Sequence, residues 1–514
     1  MGKRGTINAS GEQKQRKEQE LNPIVDFVLW MVVVGLFAFF YLATVASPVT
    51  LYQSARPDAG TAFYDIHPEQ DSPVKLLEYP TRVLVSRADG EISACFLYLA
   101  LGLAASALLW LLAAPRTALS KALSFLPLGV LVWGLQEFWL WSVTALWLLT
   151  ICLVLLFLAK YLFLKKGRWP RGVLPSKWVR ALQMALLLGV ALLIAISFVK
   201  NRQERNDLLV LSNLRQGEYA KALARASTLE SLNPKMACSV RYLLYHQNQL
   251  LENLFLFPLD QERAVLPAIP FAASEPYYKT MLEMGFVNSA EHFATEALEQ
   301  VGDAPEILHD LGFIYTLKGE PMAARVYWGY LAKNPVWAAR ARELIKASLA
   351  DPTLKNHPVA ARYYRYLYTE NYFYTQDPPE FQMRQSLLKN PTHRMALEYL
   401  AAEYLGHKNH EGIAGLIPAF RTLNYPRLPR HVEEALCLAV QDNPSLDMAG
   451  YRISQETQGR FKDFCLAYQK AMQREGAERV FAALRPAYGD TYWFYQLFSV
   501  TGRFKIQPEP EEES

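Results

Sequence analysis

The chain has 514 residues, 51% hydrophobic and 20% charged, with a net charge of +4, enough for two or three domains. Residues 200–514 hold 35 Lys plus Arg against 37 Asp plus Glu, and this near-neutral balance argues against a nucleic-acid partner, which would favour a basic stripe. The five cysteines, at 95, 152, 238, 437 and 465, form no CxxC pair. Neither a disulfide framework nor a zinc site is expected, although one disulfide among Cys238, Cys437 and Cys465 stays open.

In chain order, residues 1–23 read as a basic tail and 24–199 as a transmembrane domain. Apolar runs at 24–46, 92–114 and 181–199 each reach the ~20 residues that a bilayer core of ~30 Å requires. The run 122–164 is too long for one crossing and divides at Gln136-Glu137, followed by Trp139 and Trp141, as interfacial tryptophans would be. That makes five spans, and Glu137 belongs to the turn between two of them. Lys3, Arg4, Lys14, Arg16 and Lys17 of the tail, Arg116 and Lys121, and six basic residues in 165–180 all fall on one side. The positive-inside rule makes that side cytoplasmic and places the loop 47–91 and the C-terminal half outside. The expected location is a bacterial cytoplasmic (inner) membrane, with the lipid bilayer itself as one partner. A bacterial source is inferred from the absence of any N-x-[ST] sequon, with x other than Pro, in the C-terminal half.

Residues 200–502 carry helical patterns. The stretch 308–335, LHDLGFIYTLKGEPMAARVYWGYLAKNP, reads as two helices around Lys318-Gly319. Its Leu311-Gly312, Tyr315, Gly319, Ala324, Trp328 and Pro335 resemble the tetratricopeptide (TPR) pattern, in which small residues let two helices approach and large ones fill the gap. Gly217, Tyr219, Ala222 and Pro234 repeat the register, as do Gly285 and Ala290. The glycines at 217, 285 and 319 are spaced by 68 and 34 residues, multiples of the repeat length. The intervening repeat, around RYLLYHQNQLLENLF, keeps the phase without the glycine. After 336 the phase is lost, although 390–426 is again TPR-like through Leu400, Ala401 and Tyr404. The resemblance implies a TPR-like α-solenoid, and with the apolar runs the expected fold is all-α: a transmembrane helical bundle followed by that solenoid. The layout is also similar to that of a family of uncharacterised bacterial membrane proteins. Residues 503–514, ending in QPEPEEES, read as an acidic disordered tail.

Candidate chemistry is sparse. ARYYRYLYTENYFYTQDPPEF (361–381) has seven aromatics between Tyr363 and Tyr374. Tyr363, Tyr364, Tyr366 and Tyr368 are candidate ligand-binding residues. On a helical wheel they also cover most of the circumference, as in a buried helix, and packing is the favoured reading. The loop residues Asp65, His67, Glu69 and Asp71 have the types for hard oxygen ligation or acid–base catalysis, against a default of solvated loop. Glu403, His407 and His410 fall where a repeat turn belongs. No P-loop, GxGxxG, GxSxG or HExxH motif is present, and neither a cofactor nor a metal is expected. The sequence thus points to a membrane-anchored interaction or scaffold protein that presents its repeat surface to a protein partner, in envelope assembly or transport. Two alternatives stand beside it: a glycosyltransferase-like enzyme acting on lipid-linked saccharide through loop 47–91, and a transporter subunit.

Overall fold

A computed structural model describes residues 23–40, 91–113, 118–136, 149–155 and 177–200, then 202–257, 275–301, 304–369 and 379–500, apart from 201, 230, 231, 233, 335, 336 and 476. The described residues are helical, with no strand; one isolated bridge joins Phe286 to Tyr368. The chain divides into two compact units near residue 202.

The first unit contains α1 (Pro23–Phe40), α2 (Glu91–Ala113), α3 (Ala118–Leu123), α4 (Leu126–Gln136) and α5 (Lys177–Lys200). α2 packs on α1 and α4, and α5 on α3 and α4. Trp30 stacks on Phe125 at 6.3 Å, and Trp110 meets Phe27, Trp30 and Phe125 edge-on or tilted at 5.6–6.3 Å. Lys121 of α3 is ion-paired with Asp26 of α1.

This unit corrects the expectation of a five-span transmembrane bundle. Among the described residues, no helix is long and apolar enough to cross a membrane. The run 122–164 is broken at its start: α3 stops at Leu123, a turn follows, and Pro127 opens α4, as a proline in a first turn does. Asp26 of α1 is the partner of Lys121. The multi-pass inner-membrane location and the topology built on it fall with the spans. Glu137 lies outside the described residues.

The second unit begins with four successive helical pairs: α6 (Arg202–Arg215) with α7 (Tyr219–Ala226), α8 (Pro234–His246) with α9 (Leu250–Asn253), α10 (Glu275–Glu283) with α11 (Val287–Val301), and α12 (Pro305–Leu317) with α13 (Pro321–Leu331). One backbone device closes each pair. Gly217, Gly285 and Gly319 have φ of +76°, +79° and +80°, and the next amide bonds back five residues, as in Glu320 N–H to Tyr315 O at 2.8 Å. This is the 6→1 bond of a Schellman cap. The pair that lacks the glycine uses Asn248 at φ +55°, with Gln249 N–H to Leu244 O at 2.8 Å; asparagine tolerates the left-handed region better than most residues.

Past α13 the chain forms α14 (Ala338–Ala350), α15 (Pro358–Tyr364), α16 (Pro379–Lys389), α17 (Arg394–Gly406), α18 (His410–Gly415), α19 (Ile417–Thr422), α20 (Arg430–Asp442), α21 (Gln455–Glu475), α22 (Ala477–Tyr488) and α23 (Tyr492–Phe498). These do not simply extend the stack. α15 turns back onto α10 and α12, and α17 and α20 pack on α9. Phe255, just past α9, stacks on Tyr495 of α23 at 4.8 Å. A linear solenoid touches only its neighbours in sequence, so the loss of phase after 336 marks where the chain reverses over its own first helices.

Within α12/α13 the side chains set the helix separation. Trp328 is fully buried and donates from Nε1 to the carbonyl of His309 at 3.2 Å. A Cβ built on Gly312 would overlap that indole, whereas one on Gly329 in the same hairpin would meet nothing within 4 Å. Gly312→Ala is therefore expected to lower the thermal midpoint, with a penalty of about 1–3 kcal/mol for overpacking. Gly329→Ala should raise it slightly, because alanine favours the helix by up to ~1 kcal/mol. Calorimetry or circular dichroism of the two full-length variants checks the contrast; equal midpoints would count against this packing.

Candidate functional site

The first helices of the pairs are joined by a buried polar seam. Glu275 at the start of α10 accepts from Arg215 Nε and Lys279 Nζ, both at 2.6 Å. Lys279 lies 3.8 Å from Asp310 of α12. Asp310 also takes the Tyr278 hydroxyl at 3.1 Å, and its other oxygen lies 2.9 Å from His309 Nδ1. One turn along, Glu283 accepts from the Tyr242 hydroxyl at 2.8 Å. Burial alone would push the Glu275 carboxyl up, but Arg215 and Lys279 outweigh it and hold it at about 2. Buried charges survive only when so paired.

Over this seam runs the segment 358–369. Its course depends on Gly285. The Tyr368 amide donates to the Gly285 carbonyl at 2.8 Å, and any Cβ at 285 would run into the carbonyl oxygen of Tyr366. Gly285 thus serves a left-handed turn and a close backbone approach together, unlike Gly217 and Gly319, whose missing Cβ atoms face open space.

That course fixes the candidate tyrosines. Tyr368 is buried against Phe286, with ring centroids 5.9 Å apart. Tyr364 is half-buried and donates to Thr353 O at 2.8 Å. Tyr363 is half-buried; burial, then Asp310 and Glu283, raise its phenol above the ordinary range. Tyr366 lies flat on the buried His393 ring, 4.0 Å between centroids and 12° between planes. Cations cover this surface: Arg362 over Tyr363 at 5.8 Å, Arg365 over Tyr366 at 5.0 Å, Lys389 over Tyr368 at 4.4 Å and Arg394 over Tyr425 at 5.5 Å. All four cations are exposed. Arg394 also donates to Glu398 at 2.7 Å. The result is a basic, tyrosine-rich patch on a rigid floor. The remaining aromatics of the run, Tyr372, Phe373 and Tyr374, lie outside the described residues.

The other sequence candidates scatter. Asp65, His67, Glu69 and Asp71 lie outside the described residues. His407 Nδ1 lies 3.1 Å from the Glu403 carbonyl and 3.5 Å from its carboxylate, while His410 turns to Asp442 at 2.7 Å; only two of the three come together. Ala222, Ala290, Ala324 and Trp328 are fully buried between helices, and Tyr315 stacks on Tyr327 at 5.2 Å. Cys238, Cys437 and Cys465 are free thiols. Among the described residues no group of three or more His, Cys, Asp or Glu could hold a metal. Sequence reasoning missed Arg365, Lys389, His393, Arg394 and Tyr425 as one surface. The local signals were the i,i+4 pair Arg394–Glu398 and the adjacency of Arg365 to Tyr366; the rest meet across up to 60 residues of chain.

His393 Nε2 lies 3.0 Å from the Met284 carbonyl. Burial first, and Arg365 nearby, lower its pKa from 6.5 against the opposing pull of that carbonyl. The unfolded chain therefore takes up a proton near pH 6.5 that the folded chain refuses, so stability falls as pH drops below 6.5. Urea midpoints at pH 7.5 and 5.5 should separate less in His393→Gln than in the parent chain; an identical pH dependence would remove His393 from this account.

Over residues 81–499 the chain matches a family of unknown function, DUF6057, and it belongs to that family. No curated protein and no solved structure matches it.

Proposed function

We propose that this protein is an interaction scaffold, whose helical array presents the patch around Tyr363, Tyr366 and Arg365 to a protein partner. The observation that carries this reading is the pairing of exposed arginines with immobilised tyrosines over a buried seam of paired charges. Tyr and Arg are the residue types that dominate binding energy at protein interfaces. Rings already fixed by Gly285 and His393 lose little freedom when a partner arrives. The resemblance of 206–234 and 308–335 to tetratricopeptide repeats supports the same reading, since such arrays present extended surfaces to partners.

Photo-crosslinking in cells tests it. A benzophenone amino acid replacing Arg362 should yield a discrete adduct with a second protein. The same probe replacing Met322, which is 76% exposed on α13 and outside the patch, should not. Equal labelling from both positions, or none from 362 in a well-expressed protein, would overturn the proposal.

A further inference from the structure

The floor of the patch is a titratable ring. His393 is fully buried, and both its nitrogens are engaged. Nε2 lies 3.0 Å from the Met284 carbonyl, and Nδ1 accepts from the Ala396 amide at 3.4 Å, which makes His393 the N-cap of α17. A carbonyl accepts only from a donor, and an amide N–H donates only to a lone pair. The ring is therefore neutral, with its proton on Nε2. That one tautomer ties the end of α10 to the start of α17 and supplies the plane on which Tyr366 rests.

The holds on residues 365–366 come from the turn that carries this ring. Tyr366 stacks on His393, its hydroxyl reaches the Thr392 carbonyl at 3.4 Å, and the Arg365 carbonyl takes Asn390 Nδ2 at 3.5 Å. Both hydrogen bonds are long, so the stack is the principal hold. A second proton on the ring goes to Nδ1 and faces the Ala396 N–H, donor against donor, and the cap is lost. The added charge stands at the N-terminus of α17, the positive end of its dipole. The Tyr366 face attracts a cation but already carries Arg365 at 5.0 Å.

The other charged neighbours bring no relief. On its own helix Arg394 is bonded to Glu398, which also takes the Tyr425 hydroxyl. On α10 Glu283 accepts from Tyr242 and lies 3.0 Å from His246. Lys389 of α16 is a further cation, over Tyr368. Burial outweighs the pull of the Met284 carbonyl, and Arg365 adds to the lowering of the pKa from 6.5.

We propose that His393 is a proton-operated gate on the contact patch: the neutral ring holds Tyr366 and Arg365 in place, and the protonated ring leaves the stack and releases the segment 365–368. This deepens, and rests on, the reading of the patch as a contact surface. Above pH 6.5 the ring is neutral whether the stack is closed or open, and opening does not depend on pH. Below 6.5 the open ring, at the ordinary histidine value, takes a proton that the closed ring refuses. The open population then grows by up to about tenfold per pH unit until the closed ring titrates as well.

Amide exchange on the full-length chain, corrected for the intrinsic pH dependence of exchange, tests the gate. The reporters are Ala396, whose acceptor is His393 Nδ1, and Tyr368, whose amide is bonded to the Gly285 carbonyl. Both should exchange faster than the interior of α12. Their protection should be about five- to tenfold lower at pH 5.5 than at pH 7.5. In His393→Asn, whose side chain caps a helix without titrating, their protection should not change with pH. Exchange of the two amides only at the rate of α12, equal protection at both pH values in the parent chain, or the same fall in His393→Asn would each overturn the proposal. Should the asparagine variant fail to fold, histidine nitrogen shifts of the parent chain decide instead. A His393 proton on Nδ1 at pH 7.5, or titration of His393 with no change at Ala396, overturns the gate; a proton on Nε2, with titration and loss of protection together, supports it. The partner reading fails separately: absence of an adduct from 362 at pH 7.5 sinks that reading and leaves the exchange result standing.

Discussion

Across Gly319 the amide of Glu320 reaches back to the carbonyl of Tyr315, and the same bond recurs at Glu218, Gln249 and Phe286. Each forces one residue into the left-handed region and reverses the chain within a few residues. Everything larger in the second unit depends on that reversal. It sets two helices antiparallel at short range, so that Ala222, Ala290 and Ala324 are fully buried and Gly312 lies against Trp328. The device recurs after the repeat phase is lost, at Lys408 and Asn424, with φ of +60° and +54°.

From this backbone constraint the candidate site follows in steps. Repeated reversal aligns the first helices, and alignment brings Arg215, Glu275, Lys279 and Asp310 close enough to neutralise one another. A neutralised seam can be buried, and a buried seam can be crossed by 358–369. Gly285 belongs to both levels: its φ closes a hairpin, and its missing Cβ admits the backbone of Tyr366. The tyrosines above inherit their rigidity from there. The same tyrosines combine packing with exposure, since Tyr368 is buried while Tyr366 keeps one face on His393 and the other beneath Arg365.

The sequence revealed what is local. The Leu311-Gly312 pair is a signal within one hairpin and the 34-residue spacing of glycines one between successive hairpins, and the hairpins lie there. Asn248 escaped because the left-handed turn was sought as glycine. The reversal after 336 escaped for a deeper reason. Contacts such as His393 with Met284, or Phe255 with Tyr495, join residues more than 100 apart, and nothing in the periodicity of either segment encodes its partner. The five-span reading erred in a related way. It treated 122–164 as a length of apolar chain to be divided, whereas a turn at 124–125 and Pro127 interrupt it near its start. The Tyr–Arg patch was half legible, its tyrosines with Arg362 and Arg365 from one run and Lys389 and Arg394 only from the fold.

Hydrogen exchange on the full-length chain, resolved to single amides, tests the central claim most directly. The account expects the amides of Glu218, Gln249, Phe286, Glu320, Asn409 and Tyr425, each bonded five residues back across a left-handed residue, to exchange as slowly as the interior of α12 and to lose protection together in denaturant. Fast, independent exchange at these positions, at the rate of the exposed turn around Thr353, would mean that the reversals do not hold the array, and the derivation of the seam and the patch from them would fail.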